Sequence, residues 1–251
     1  MSRVERDTDN KPTVVLVHGA FEGGSIWDPV VERLSSDYTL VVAANPLRGV
    51  DADSASLAAL LGLTGSPIIL VGHSYGGVAI TNAGCRSGDV KALVYVSALA
   101  PERHESATDL FERFPGSRLQ DALAAAPLPD GEADLYVRLD RYHAVLAADL
   151  PETAALRLAA RQRPVHSGAL SAPSGEPAWR RLPNWFVYGD GDESIPPALH
   201  DFQEHRAGAA AIRVVKGASH LLPLSQPDAV CQTIRAAARI LTLPVPNITP
   251  D

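Results

Sequence analysis

Ile68-Ile69-Leu70-Val71-Gly72-His73-Ser74-Tyr75-Gly76-Gly77 decides how this chain of 251 residues folds. Four apolar residues suited to a buried strand run into a turn where Gly72 and Gly76 flank Ser74 at two residues on either side. A helical segment from Val78 follows. A serine that exposes its Oγ at the end of a strand sits in a sharp, strained turn, and small neighbours let the chain fold back that tightly. The following helix points its N-terminus at the serine and favours negative charge developing there. By composition alone a G-x-S-x-G string arises by chance in roughly one chain in ten, so its place between strand and helix carries the reading. The turn does not spell G-x-G-x-x-G, and no acidic residue sits suitably after the next strand, which excludes a dinucleotide-binding turn.

Outward from this turn, short apolar runs alternate with longer amphipathic stretches. The runs are Val14 to Val17, Thr39 to Ala43, Ile68 to Val71, Ala92 to Val96, Trp185 to Tyr188 and Ile212 to Val215. Each is continuous rather than alternating, as expected of strands covered by helices on both faces. Helical periodicity marks Ile26 to Leu34, Ser54 to Leu61, Val78 to Arg86, Ala198 to Arg206 and Ala229 to Leu241. Strand and helix in alternation predict an α/β fold with a doubly wound, mostly parallel sheet. Between Ala100 and Pro183 about eighty residues pass without a convincing strand, too many for a structureless loop. Helical patches at Ala107 to Phe114, Leu135 to Ala148 and Thr153 to Arg161 predict a helical insertion over one end of the sheet. The expected division is a core of residues 12–100 and 183–241, a cap insertion of 101–182, and tails of 1–11 and 242–251.

Apolar residues make up 46% and charged residues 20%, enough to bury a core without disulfides or metal. The formal net charge of −7 and the lack of a basic stripe argue against nucleic acid and anionic membrane surfaces as partners. Cys85 and Cys231 form no CxxC or Cys/His cluster and read as reduced, mostly buried thiols. Met1 to Pro12 is polar with no apolar h-region, and the apolar runs are strand-length. A soluble, cytoplasmic protein is the expectation. Pro244 to Asp251 reads as an extended tail. Asn247-Ile248-Thr249 matches a glycosylation sequon, without meaning in the absence of a secretory signal.

Val14-Val15-Leu16-Val17-His18-Gly19-Ala20-Phe21, the turn Gly72 to Gly77, Gly189-x-x-Asp192 and Ser219-His220 together resemble the α/β-hydrolase superfamily. More narrowly, His18-Gly19-Ala20-Phe21 with Gly23-Gly24 and Trp27 is similar to a bacterial esterase-like branch related to plant methyl esterases and hydroxynitrile lyases. The resemblance spans about Pro12 to Leu241. It implies the chain order nucleophile, acid, histidine.

Ser74 is the candidate nucleophile. Of eight histidines, His220 alone lies just beyond a strand near the C-terminus, and it is the candidate general base. After Trp185 to Tyr188, Gly189-Asp190-Gly191-Asp192-Glu193 offers three carboxylates. The family pattern favours Asp192, with Asp190 the runner-up; the acid fixes the histidine tautomer and stabilises the imidazolium. A tetrahedral intermediate needs two backbone N–H donors. Tyr75 is the first, and Ala20 the favoured second, with Phe21 the alternative. In the family the position of His18 holds the loop, and His73 reads as an elbow neighbour rather than a proton carrier. His104, His143, His166, His200 and His205 read as ordinary polar surface, although His143, in the insertion, is placed to reach a substrate. Leu135, Tyr136, Leu139, Tyr142 and Val145 have approximate helical spacing and form one face, over the site or packed on the core. Tyr142, His143 and Leu221 are the candidate substrate contacts.

Three uses of this machinery compete. The first is hydrolysis of a small-to-medium carboxylic ester or lactone through an acyl-enzyme, with no metal or organic cofactor. The second is a lyase or cyclase reaction on the same groups. The third is a ligand receptor on a hydrolase scaffold, disfavoured by an intact set of Ser74, Asp192 and His220. In hydroxynitrile lyases a threonine replaces the glycine found here at Gly19, and a lysine follows the histidine where this chain has Leu221. Cyanohydrin cleavage is therefore disfavoured. Haloalkane dehalogenases and epoxide hydrolases carry aspartate at the position of Ser74, which argues against both.

Overall fold

The computed structural model describes residues 11–129 and 131–242. Strand β1 (Thr13–Val17) lies between β2 (Thr39–Ala43) and β3 (Ile68–His73), and the sheet continues through β4 (Val90–Val96). After a long excursion holding β5 (Leu123–Pro127), β6 (Ala133–Val137) and β7 (Val165–His166), the chain returns with β8 (Asn184–Gly189) and β9 (Ala211–Val215). The main sheet has the order β2-β1-β3-β4-β8-β9, and every pairing is parallel. Register lines up the strand ends. Val17 sits beside Ala43 and Gly72, His73 beside Val96, Val96 beside Val187, and Gly189 beside Val215. The loops after β1, β3, β4, β8 and β9 therefore leave one edge together, the place where open α/β sheets bind ligands.

The continuous apolar runs are explained by burial on two faces. Along β1, Val14 and Leu16 join one cluster while Val15 and Val17 join another. Helices α1 (Asp28–Leu34) and α10 (Pro227–Ala238) cover the first face through Val30, Leu34, Val230 and Ile234. Helices α2 (Val50–Leu61) and α3 (Gly76–Ala83) cover the second through Leu57, Leu61, Ala79 and Ile80. Fully burying one such side chain contributes about 1.5–3 kcal/mol, so the two layers supply much of what opposes chain entropy. The edge strands depart from the expected double cover: Val42 on β2 and Ile212 and Val214 on β9 are exposed. An edge has a neighbour on one side only, so its apolar run overstates its burial.

The insertion departs further. Alongside α4 (Ala107–Arg113), α5 (Leu139–Leu146), α6 (Glu152–Ala160) and α7 (Ser167–Ser171) it carries an antiparallel sheet in the order β5-β6-β7. Leu135 and Tyr136 lie on β6 rather than on a helix, and Leu139 is 61% exposed. The five residues from Leu135 to Val145 therefore share no helical face. A turn in which Leu128 N–H donates to Glu132 O (2.8 Å) and Gly131 takes a φ of 89° closes the β5–β6 hairpin. The remaining helices of the core are α8 (Pro197–Ala207) and α9 (Leu222–Ser225).

Cys231 is buried as expected, but Cys85 is exposed, because it falls in the single 3₁₀ turn after α3 rather than on the packed face of that helix. Among the described residues no helix is long and apolar enough to cross a membrane. The polar segment up to residue 10, the tail at Pro244 to Asp251 and the Asn247-Ile248-Thr249 sequon lie outside the described residues.

Candidate active site

Ser74 stands between β3 and α3 with a φ of 53°, the left-handed region that costs a side-chain-bearing residue about 1–2 kcal/mol. The strain is held from both sides: Ser74 N–H donates to Val96 O at 3.2 Å, and Ser74 O accepts from Gly77 N–H at 3.0 Å and Leu99 N–H at 3.2 Å. The loop after β1 closes directly on the serine. A Cβ on Gly19 would stand 2.5 Å from Ser74 Cβ and 2.9 Å from His73 O, so only glycine lets that loop approach. Gly76 is needed in the same way, since its Cβ would meet Val17 O at 2.5 Å. Ala20 and Phe21 follow Gly19, and Phe21 holds a φ of 63°. Among the described residues the N–H groups of Ala20, Phe21 and Tyr75 donate to no protein acceptor.

The structure brings Asp192 and His220 together. His220 Nδ1–H donates to Asp192 Oδ2 at 2.8 Å, both groups fully buried. Asp192 Oδ1 accepts Ser194 N–H at 2.8 Å and Ile195 N–H at 2.9 Å. Burial by itself raises such a carboxyl, but the charge and hydrogen bonds of His220 and His200 outweigh it and hold Asp192 well below the usual carboxylate range. Asp190 is exposed and accepts Gly217 N–H at 2.5 Å, a turn contact away from the imidazole. Glu193 faces Arg118 at 3.9 Å.

A family model described as the alpha/beta hydrolase family matches residues 14–233. The chain belongs to this family. Alpha/beta hydrolase nvfD of Aspergillus novofumigatus (strain IBT 16806) is 26% identical over 252 residues, 91% of this chain and 97% of that protein. Norfluorocurarine synthase 2 of Strychnos sp is 25% identical over 249 residues, 88% and 92% of the two chains. The crystal structure of polyneuridine aldehyde esterase matches with a TM-score of 0.77 at 19% identity, covering 90% of this chain and 98% of that one.

In this alpha/beta hydrolase chain His18 holds the loop after β1. Its Nδ1–H donates to Gly19 O at 2.9 Å, and Nε2 accepts Asn45 N–H at 3.2 Å and an Arg163 guanidinium N–H at 3.1 Å. Burial lowers its proton affinity, in keeping with a neutral ring that accepts at Nε2. Arg163 comes from the insertion and ties it to that loop. His73 is fully buried, with Nδ1–H on Glu22 Oε2 at 2.8 Å and Nε2–H on His220 O at 3.0 Å. Burial pulls His73 down, but the Glu22 carboxylate and the two hydrogen bonds leave it above the ordinary imidazole value. Glu22, His73 and His220 cluster within 4.8 Å as ligand-type atoms. With both His73 nitrogens committed as donors, the cluster is a hydrogen-bonded support rather than an ion cage.

Two of these supports escape the sequence. Glu22 reads as a loop acid, yet it is 4% exposed. His200 reads as polar surface, yet it is fully buried with Nε2 3.4 Å from Asp192 Oδ2. Helix α8 is too mixed in composition to mark its inner face, so no signal in the sequence singles out this ring. Asp53 is likewise buried and accepts the Tyr75 hydroxyl at 2.9 Å, orienting the residue after the serine.

The candidate substrate contacts divide. Tyr142, 1% exposed, directs its hydroxyl to Phe21 O at 3.5 Å, which brings the insertion over the loop after β1. Leu221 is fully buried and its N–H donates to Leu146 O at 3.1 Å, joining the His220 loop to α5. His143 instead spends Nε2 on Leu150 O at 2.9 Å inside the insertion. Its side chain braces the turn after α5, a role that helical spacing cannot reveal.

Proposed function

We propose that the protein is a serine esterase acting on a small-to-medium carboxylic ester or lactone, with Ser74 as nucleophile, His220 as general base and Asp192 as the orienting acid. The observation that carries this reading is the joint placement of a left-handed Ser74 under the Gly19 loop and of a buried His220–Asp192 pair at the same sheet edge. His220 Nε2 takes the Ser74 Oγ proton as Oγ bonds to the carbonyl carbon. The oxyanion forms beside Tyr75 N–H and Ala20 N–H, with Phe21 N–H as alternative donor; each such donor is worth about 10²–10³ in rate. The carbon–oxygen bond to the alcohol breaks and the alcohol leaves with the proton from His220. Water then gives a proton to His220, adds to the acyl carbon and releases the acid, and Ser74 recovers its proton. Apart from the water consumed in deacylation, the protein's own groups supply each step.

Residues 101–182 serve in this reading as a cap whose Tyr142, together with Leu221, limits the acyl or alcohol pocket, in a soluble cytoplasmic protein that meets a small molecule. A non-hydrolytic reaction is the second reading, favoured by a relative of similar length that is named a synthase. Against cyanohydrin cleavage stand Gly19, which leaves no room for a Cβ, and Leu221, an apolar residue where a lysine is required. A short-chain p-nitrophenyl ester series tests the proposal with wild type and Ser74→Ala. Turnover that vanishes in the variant supports it. Wild type that labels with a serine-reactive phosphonate but hydrolyses no ester or lactone moves the protein to the second reading.

A further inference from the structure

Two imidazoles meet one carboxylate oxygen. His220 Nδ1 lies 2.8 Å and His200 Nε2 3.4 Å from Asp192 Oδ2, while Oδ1 takes two backbone N–H groups. His200 arrives from α8 and stacks on Tyr188 of β8, ring centroids 4.3 Å apart and planes 14° apart. Its other nitrogen, Nδ1, is buried and has no partner among the described residues. Leaving a buried polar atom unpaired is unfavourable, and an aromatic hydrocarbon side chain fills a stacking site without that penalty. What a histidine adds here is a single N–H aimed at Oδ2. Burial keeps the ring from taking a second proton, and the Asp192 oxygen facing Nε2, with no partner at Nδ1 among the described residues, places the single proton on Nε2.

We infer that His200 is a positioning residue: by donating Nε2–H to Asp192 Oδ2 it locks the carboxylate and tempers how strongly that oxygen stabilises an imidazolium on His220. This rests on the roles proposed above for Ser74, His220 and Asp192. A carboxylate with four donors has no rotational freedom left, and charge drawn toward His200 is charge withheld from His220. His200 is faced by Asp192, by His220, by Tyr188 and, from its own helix, by Asp201. His220 also meets His73 at the end of β3 and Glu22 from the loop after β1.

The test follows the rate at which an alkyl fluorophosphonate labels Ser74 between about pH 5 and 8 in wild type, His200→Phe and His200→Gln. Phe keeps the stack and removes the donor; Gln offers an amide N–H in its place. The expected result is slower labelling for Phe, with the acid limb moved up by about half a pH unit, and a limb returned toward wild type by Gln. Slower labelling with an unmoved limb in Phe overturns the inference, since a purely structural role slows the reaction at every pH alike. Nitrogen-15 spectra of the His200 ring decide independently, including where wild type does not label or Phe does not fold. A neutral ring protonated at Nε2 supports the inference. A ring protonated at Nδ1, alone or with Nε2, overturns it. Failure of wild type to label at any pH counts against the Ser74 reading instead.

Discussion

The carboxylate of Glu22 and the imidazole of His73 meet at 2.8 Å in a place where neither side chain reaches water. The pair joins the loop after β1 to the end of β3, and through His73 Nε2 it holds the main chain of His220. Removing one member of a buried pair costs about 3–5 kcal/mol, because the other is left uncompensated.

Glu22→Ala therefore destabilises the fold by about that amount, with a definite pH dependence. His73 is raised in the folded state, so its contribution is complete below the ordinary imidazole value of about 6.5 and is lost as pH rises through the folded value. Urea unfolding of wild type and variant will show a larger gap at acid than at alkaline pH. A gap that widens with pH is incompatible with a charged His73.

Ser74→Gly separates strain from function. Glycine accepts a φ of 53° without penalty, so the variant gains about 1 kcal/mol of stability while losing phosphonate labelling entirely. Calorimetry alongside labelling checks both halves. A variant less stable than wild type means the turn is not strained by the serine.

Asp192→Asn places an amide NH₂ among two backbone N–H groups and two ring N–H groups that all need an acceptor. Turnover of whichever ester the wild type accepts should fall about 10⁴-fold, as when a triad acid is neutralised. Because Asp192 is held below its ordinary value, its charge stabilises the fold above about pH 4, and that contribution disappears as pH falls. The stability difference between wild type and variant should shrink between about pH 4 and pH 2. Equal differences at neutral and acid pH would contradict the buried carboxylate.

Gly19→Ala tests the closeness of the loop after β1 to the serine. The new methyl meets Ser74 Cβ at 2.5 Å and His73 O at 2.9 Å, so the loop or the serine has to move. Misplacement by about an ångström costs on the order of 10² in rate. Labelling should slow by that factor while far-ultraviolet circular dichroism stays native. Unchanged labelling means the loop adapts and the contact is not functional.

Much of this arrangement is local in origin and was legible from the chain alone. The apolar runs at β1, β3, β4 and β8 announce strands buried on both faces, and the glycines around Ser74 announce a turn too tight for a Cβ. Ser74, Asp192 and His220 each stand shortly past a strand of a parallel sheet, where all such ends share one edge, while the order nucleophile, acid, histidine is what the resemblance to the α/β-hydrolase superfamily implies. The β5–β6 hairpin is missed: Leu128-Pro129-Asp130-Gly131 has the composition of a turn, but the helical reading of Leu135 to Ala148 leaves no strand for it to join.

Tertiary structure alone decided the rest. His200 and Glu22 are polar side chains whose burial their chain neighbours do not mark: Glu22 lies between Phe21 and Gly23 in a loop, His200 between Leu199 and Asp201 on α8, and the partners that enclose them stand on other elements. His200 lies eight residues from Asp192, and Glu22 fifty-one from His73. Among Asp190, Asp192 and Glu193 the choice of partner for His220 is a matter of which carboxylate the β8 turn points inward, and Asp190 points out. The same holds for Tyr142 and His143: adjacent on α5, one reaches Phe21 and the other closes on Leu150. Periodicity reports which residues a strand or helix turns inward, but the partner found there depends on how distant segments pack.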